Sequence, residues 1–246
     1  MRGDGIVAAA SNGAPRRPRL TLLEAFDLSD AAEPVSLCLP VQRLLAFLAL
    51  RGRPTRRAYV AFTLWTDSSE DRAFGSLRSA LWRLRRDGHR LVEETNGRLR
   101  LAPAVRVDVH EAAEAAHRVL DPAREIDDAD RDRVFLDGEL LPDWYDDWVA
   151  LERERFRQLR VHALERLCER LTSEQRFTEA VETGLAAVEG EPLRESAHRV
   201  LIHAHLAEGN AAEALRQYGI FRGLLRDRLG LEPSGQMDAL VRPLVH

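Results

Sequence analysis

The chain of 246 residues is long enough for one or two domains at a prior of about 150 residues each, and its 45% apolar content is enough to build their cores. The net charge of −4 is unevenly split: residues 1–105 hold 17 Arg against 11 acidic side chains, a net +6, and residues 106–246 hold 19 against 29, a net −10. No run of 18 apolar residues offers a membrane span, the first 15 residues lack the apolar stretch of a secretory signal, and Cys38 and Cys168 sit in no metal-ligand spacing, which reads as two reduced thiols of a cytoplasmic protein.

The basic front half assigns any nucleic-acid contact to the front. All 36 basic residues are Arg, whose planar fork favours bidentate phosphate and guanine contacts. Residues 1–17, rich in Gly, Ala, Ser and Asn, read as a flexible arm. RLTLLEAF at 19–26 and PVSLCL at 34–39 read as short strands around a turn at Ala31-Ala32-Glu33. A helix follows with Pro40 at its first position and Val41, Leu44, Leu45 and Leu48 on one face; Arg51-Gly52-Arg53-Pro54 ends it. A second helix is expected over 56–65, capped by Thr55, with Val60, Ala61 and Leu64 inward. Thr66-Asp67-Ser68 makes a turn.

The next stretch, SSEDRAFGSLRSALWRLRRD at 68–87, organises the front domain. At about 100° per residue, Ala73, Leu77, Ala80, Leu81 and Leu84 form one apolar stripe. Arg72, Gly75, Ser79, Trp82 and Arg86 lie opposite, flanked by Arg78 and Arg83. Ser68, three residues before Asp71, has the spacing of a capping box, and Gly88 is the expected C-cap. An arginine-rich outer face also suits a helix that merely meets solvent, but Trp82 on that arc does not. Gly75 in mid-helix costs about 1 kcal/mol relative to Ala; it suits either close approach to a DNA backbone or simple drift.

A hairpin follows, 91–94 and 98–101 about Asn96-Gly97, with Leu99 and Leu101 on one side and Arg98 and Arg100 on the other. Strands, three helices and a basic hairpin describe a winged helix-turn-helix, with the third helix in the major groove. On that reading Arg78, Ser79, Trp82, Arg83 and Arg86 approach bases or adjoining phosphates. Arg56, Arg72, Arg85, Arg98 and Arg100 hold backbone.

After a junction at 103–108 the pattern is helical: 109–119, 124–133, 144–171, 174–189, 193–207, 210–228 and 235–245. Glu179-Ala180 recurs as Glu213-Ala214 and Gly184 as Tyr218, an offset of 34 that belongs to tetratricopeptide-like helix pairs. The long helix is expected to cap them. The expected fold is therefore an α+β winged-helix domain over 18–104 followed by an all-α tetratricopeptide-like domain over 105–246.

Several stretches together resemble the Streptomyces antibiotic regulatory protein family: LTLLEAFDL, VSLCLPVQRLLAFLAL, RAFGSLRSALWRLRR, ELLPDWYDDWVALERERFRQLR and GNAAEALRQYGIFRGLLRDRLGLEPS. The likeness covers residues 18–243, departing at Thr66, where the family often has Pro. It implies a winged helix of the response-regulator type joined to a bacterial transcriptional activation domain. It also implies an activator, often of secondary-metabolite clusters, that binds direct repeats near promoter −35 elements and engages RNA polymerase and its sigma factor. With no Gly-x4-Gly-Lys-Ser/Thr motif, the resemblance is to the small form of the family. Direct repeats predict a side-by-side dimer on DNA.

Catalytic chemistry is not expected. His198, His203 and His205 lack the remainder of a zinc ligand set and read as packing or surface histidines. Asp143, Asp146 and Asp147 read as caps of the long helix. No nucleophile elbow, HExxH or phosphate-cradling Gly loop is present, so no enzyme activity, metal or cofactor is expected. Two other readings stay open: a helical-repeat scaffold for a protein or peptide, and a ligand-gated repressor that senses through the repeat groove.

Overall fold

The computed structural model describes residues 18–31, 33–86, 90–134 and 138–244. The arm at 1–17, Ala32 of the first turn and the Gly88 cap lie outside them. The chain forms two compact units, one of residues up to Thr21 with Phe26–Val107, the other of Leu22–Ala25 with Asp108 onward. By contacts the units divide at 107/108, since Arg106 and Val107 still pair with the first strand.

The first unit opens with β1 (Arg19–Thr21) and β2 (Asp27–Asp30), antiparallel, with Leu20 opposite Leu28 and both buried. The second strand is therefore not PVSLCL. β3 is only Glu33–Pro34; Val35 N–H still donates to the Leu28 carbonyl of β2 at 2.8 Å, and residues 36–38 leave the sheet. Pro34 has no N–H to continue the ladder, which confines it to an edge. The expected strand at 19–26 also breaks: Glu24 has φ 68° and Leu22 turns its N–H elsewhere.

α1 (Leu39–Arg51) starts one residue before Pro40 and ends on Gly52 at φ 59°, whose N–H caps Ala49 and Leu48 carbonyls. Its buried set exceeds the expected face, since Ala46, Phe47 and Ala49 join Val41, Leu44, Leu45 and Leu48. β4 (Thr55–Arg56) was not expected. Thr55 does not cap the second helix; it pairs with Leu99, and its hydroxyl donates to the Arg53 carbonyl. α2 (Arg57–Leu64) buries Val60, Ala61 and Leu64. The following turn closes without proline, Ser68 N–H donating to the Trp65 carbonyl at 3.2 Å. α3 (Glu70–Arg86) starts later than the Ser68 cap implies, its first bond running from Ala73 N–H to the Ser69 carbonyl. α3 buries Ala73, Leu77, Ala80, Leu81 and Leu84, the whole of the expected stripe, against α1 and α2.

β5 (Val92–Thr95) and β6 (Arg98–Leu101) form the wing. Asn96 and Gly97 both have positive φ, 51° and 68°, as a two-residue hairpin turn of matching twist requires. β7 (Arg106–Val107) pairs parallel with β1. The sheets run β3-β2-β1-β7 and β4-β6-β5.

In the second unit, α4 (Asp108–Leu120), α5 (Asp128–Val134) and α6 (Asp147–Ser173) precede the helix pairs. Asp146 sits at the N-cap of α6 and Asp147 in its first turn, at the helix end where the macrodipole favours carboxylates, although the Asp146 side chain makes no capping bond. α7 (Phe177–Gly190), α8 (Glu195–Glu208), α9 (Ala211–Leu229) and α10 (Gly235–Val241) follow the tetratricopeptide-like pattern. α6 packs on α7, α4 and α8. The 34-residue echo has a packing meaning. Ala180 and Ala214 are both fully buried, and a Cβ on Gly184 would stand 3.1 Å from Leu201, so α7 and α8 meet there only over glycine. Tyr218, its counterpart, instead donates to Asp238 at 2.7 Å.

His198 is fully buried, stacked on Phe221 at 4.3 Å, with Nε2 on the Pro192 carbonyl and Nδ1 on the Gln217 amide. Burial holds its pKa below the ordinary value of 6.5. The unfolded chain then takes the proton first, so stability contributed by the neutral ring is full above about pH 6.5 and is lost as pH falls below it. Urea unfolding from pH 7.5 down to 5 should show this decline, and His198→Gln should flatten it.

Candidate nucleic-acid interface

The leucine stripe fixes the roll of α3, and so fixes what it shows to solvent. Arg72, Arg78, Ser79, Trp82, Arg83, Arg85 and Arg86 are all exposed, as are Arg56, Arg98 and Arg100. Trp82 is 59% exposed, and the Arg86 guanidinium lies over its ring at 5.3 Å, a cation–π contact that holds both side chains at the surface. Ser79 donates to the Gly75 carbonyl at 3.0 Å, leaving its hydroxyl oxygen as an acceptor. Arg83 donates to the Cys38 sulfur at 3.1 Å, which ties its guanidinium to the start of α1. Cys38 is exposed and Cys168 buried, the latter thiol pushed up to about 12 by burial, and both are free.

The ten residues are not equivalent. Arg100 is held by Glu93 across the wing, at 2.6–2.8 Å from Nε and Nη2. Arg85 lies 3.5 Å from Glu94, both of whose carboxylate oxygens also accept from Arg57 Nη1 at 2.8 Å. Arg56, Arg72, Arg78, Arg83, Arg86 and Arg98 have no carboxylate partner among the described residues. Exposed pairs such as Arg100–Glu93 contribute about 0–1 kcal/mol, so both carboxylates can yield to a phosphate. The unpaired six are free to meet one without that exchange.

The helix also arranges its own charge: Glu70 and Asp71 in its first turn, Arg83, Arg85 and Arg86 in its last. That order suits the macrodipole and concentrates positive potential on the middle and end of the helix. A methyl group added at Gly75 would meet only Arg78 Nη2, at 3.8 Å, so the unit's own packing does not demand glycine there.

Sequence reasoning missed the cavity beside the wing lined by Arg51, Arg53 and Tyr59 together with Arg56 and Arg98. Its signal, three arginines within six residues around a Gly-Pro turn, was present at 51–56. Among the described residues no group of three or more His, Cys, Asp or Glu is placed to hold a metal, and no helix is long and apolar enough to cross a membrane.

The bacterial transcriptional activator domain family matches residues 104–244. The regulatory protein AfsR of Streptomyces coelicolor is 32% identical over 214 residues, covering 82% of this chain and 21% of that protein. AfsR of Streptomyces griseus is 26% identical over 233 residues, covering 90% and 24%. The chain thus spans between a fifth and a quarter of these relatives. Mycobacterium tuberculosis EmbR, solved with a low-affinity phosphopeptide, shares the fold at a TM-score of 0.73 and 21% identity, over 94% of this chain and 65% of that one.

Proposed function

The chain belongs to the bacterial transcriptional activator domain family, within the Streptomyces antibiotic regulatory protein group of transcriptional activators, and from that premise we propose that it binds promoter DNA in a sequence-specific way. α3 enters the major groove and the wing reaches adjacent backbone. One observation carries this reading: the leucine stripe of α3 is buried while the arginines on its outer arc stand exposed and, among the described residues, without carboxylate partners. Such a face is readily solvated when free, and against a duplex it gains the release of counterions from the phosphates it neutralises.

Arg78, Arg83 and Arg86 with Trp82 and Ser79 approach base edges or the phosphates beside them. Arg56, Arg72 and Arg98 grip backbone, and Arg85 and Arg100 join by exchanging carboxylate for phosphate. The sites are direct repeats near the −35 element, which set protomers side by side about one helical turn apart. The helical unit, within the half of the chain that carries net −10, presents an acidic surface to RNA polymerase and its sigma factor. The regulated genes are a secondary-metabolite cluster, and the protein works in the cytoplasm at the nucleoid without catalysis.

The test is fluorescence anisotropy on promoter duplexes carrying single base-pair changes. Arg83→Ala should relax preference at one position, at a cost of ~1–3 kcal/mol there. A uniform loss over all duplexes makes Arg83 a phosphate contact, and wild-type protein that ignores every promoter fragment in dilute salt removes the function.

A further inference from the structure

Outside the face of α3, the winged-helix unit gathers cations at one other corner. A cavity of about 270 Å³ is lined by Arg51 at the end of α1, Arg53, Arg56 on β4, Tyr59 on α2 and Arg98 on the wing. Arg56 and Arg98 are register partners across β4 and β6, so both side chains project from the same face of the sheet. Like charges directly opposite on paired strands repel. Nothing in the unit relieves them: among the described residues none of the four arginines is ion-paired. Arg98 makes only a long bond, 3.4 Å, to the Pro54 carbonyl. Arg51 lies over the Tyr59 ring at 5.2 Å, and its Nε is buried without a hydrogen-bond partner. Tyr59 is half exposed at the rim.

Four guanidiniums around one small concavity, two of them forced together by strand register, leave donors unused and charge uncompensated. A tetrahedral anion answers both, since its oxygens match the guanidinium fork and one charge bridges the opposed pair. We propose that this corner is a seat for one backbone phosphate of the DNA. Arg53 and Arg51 would then be phosphate contacts beyond those on α3 and the wing, and Tyr59 would hold Arg51 in place from below. The proposal rests on the DNA-binding reading above and extends its footprint to the α1–β4 corner.

The experiment pairs binding with stability. Arg53→Gln and Arg56→Gln, each at an exposed position, are titrated against a promoter duplex and an unrelated duplex over about 50–200 mM salt. Each should bind both duplexes less tightly by the same factor and lower the salt slope by about one. Each should also melt higher than wild type when free, because like-charge repulsion is eased. Arginines with a merely structural role would instead lower the melting temperature and leave the slope alone, which overturns the seat. In a second arm, inorganic phosphate is added in place of DNA. Phosphate that raises the wild-type melting temperature, but not that of Arg53→Gln, while DNA slopes stay unchanged, assigns the cavity to a free anion and overturns the backbone assignment. If the slopes are unchanged but Arg83→Ala still relaxes base preference, only the seat fails. If wild-type protein binds no duplex at about 50 mM salt, the DNA-binding reading falls with it.

Discussion

Asp108→Ala should destabilise the helical unit by about 3–5 kcal/mol, read as a fall in its urea midpoint at constant slope. The Asp108 carboxylate is 5% exposed. It accepts from Leu22 N–H at 2.9 and 3.0 Å, from Leu23 N–H at 3.0 Å and from Val109 N–H at 2.7 Å. A hydrogen bond to a charged group contributes roughly 1.5–3 kcal/mol, and a buried donor left without an acceptor costs about 1–3 kcal/mol. Truncation to a methyl group leaves three such donors at once, and the backbone they belong to cannot move away. The Leu22 carbonyl is bonded to Leu141 N–H, and Glu24 N–H to the Glu139 carbonyl. Asp108→Asn keeps one acceptor oxygen and should lose roughly half as much. A midpoint unchanged in Asp108→Ala would show that water satisfies these groups and that the carboxylate does not hold the segment.

Phe221→Ala should cost a similar amount, about 3–5 kcal/mol, as expected for an aromatic ring removed from a core that cannot collapse around the void. Phe221 is fully buried among Ile202, Ala214, Leu225, Met237 and Val241. It has a second, separable effect. Its ring covers one face of His198, and burial is the main cause of that histidine's lowered pKa. With the ring gone, water reaches the imidazole and its pKa returns toward the ordinary value. The acid-side loss of stability should then flatten, even though the protein is weaker at every pH. A variant that is destabilised but keeps the wild-type pH slope would mean that Gln217 and the Pro192 carbonyl, rather than the stacked ring, keep His198 neutral.

What the sequence made legible is what local chemistry decides. The stripe of α3 was readable residue by residue, because a 3.6-residue period needs no knowledge of the partner. The wing was readable because Asn96-Gly97 is the pair that tolerates positive φ twice in succession. The same turn also implied its register, and therefore Glu93 opposite Arg100. Arg100, expected to hold DNA backbone, thus faces a carboxylate that the turn itself implied. Other features depended on distant partners. PVSLCL alternates like a strand, yet the ladder formed on Asp27–Asp30 and stopped at Pro34. Thr55 looks like a helix cap and is instead a strand residue, since Leu99 lies opposite. Asp108 sits three residues before Glu111, a spacing that hints at a helix start. Nothing nearby hints that its acceptor role reaches back 86 residues.

The four-residue loan of Leu22–Ala25 to the helical unit sets an order of events at synthesis. These leucines leave the ribosome early; Asp108 follows Leu22 by 86 residues, and the Glu139–Leu141 segment comes more than a hundred residues after it. At ~5–20 residues per second the wait is on the order of ten seconds. Once β7 closes the winged helix at Val107, Asp108 follows at once, but every nascent copy still waits for the Glu139–Leu141 segment to pair with Leu22 and Glu24. A polypeptide released at Val107 never covers the two leucines, so fragments of the front half should be stickier and shorter-lived than the finished protein.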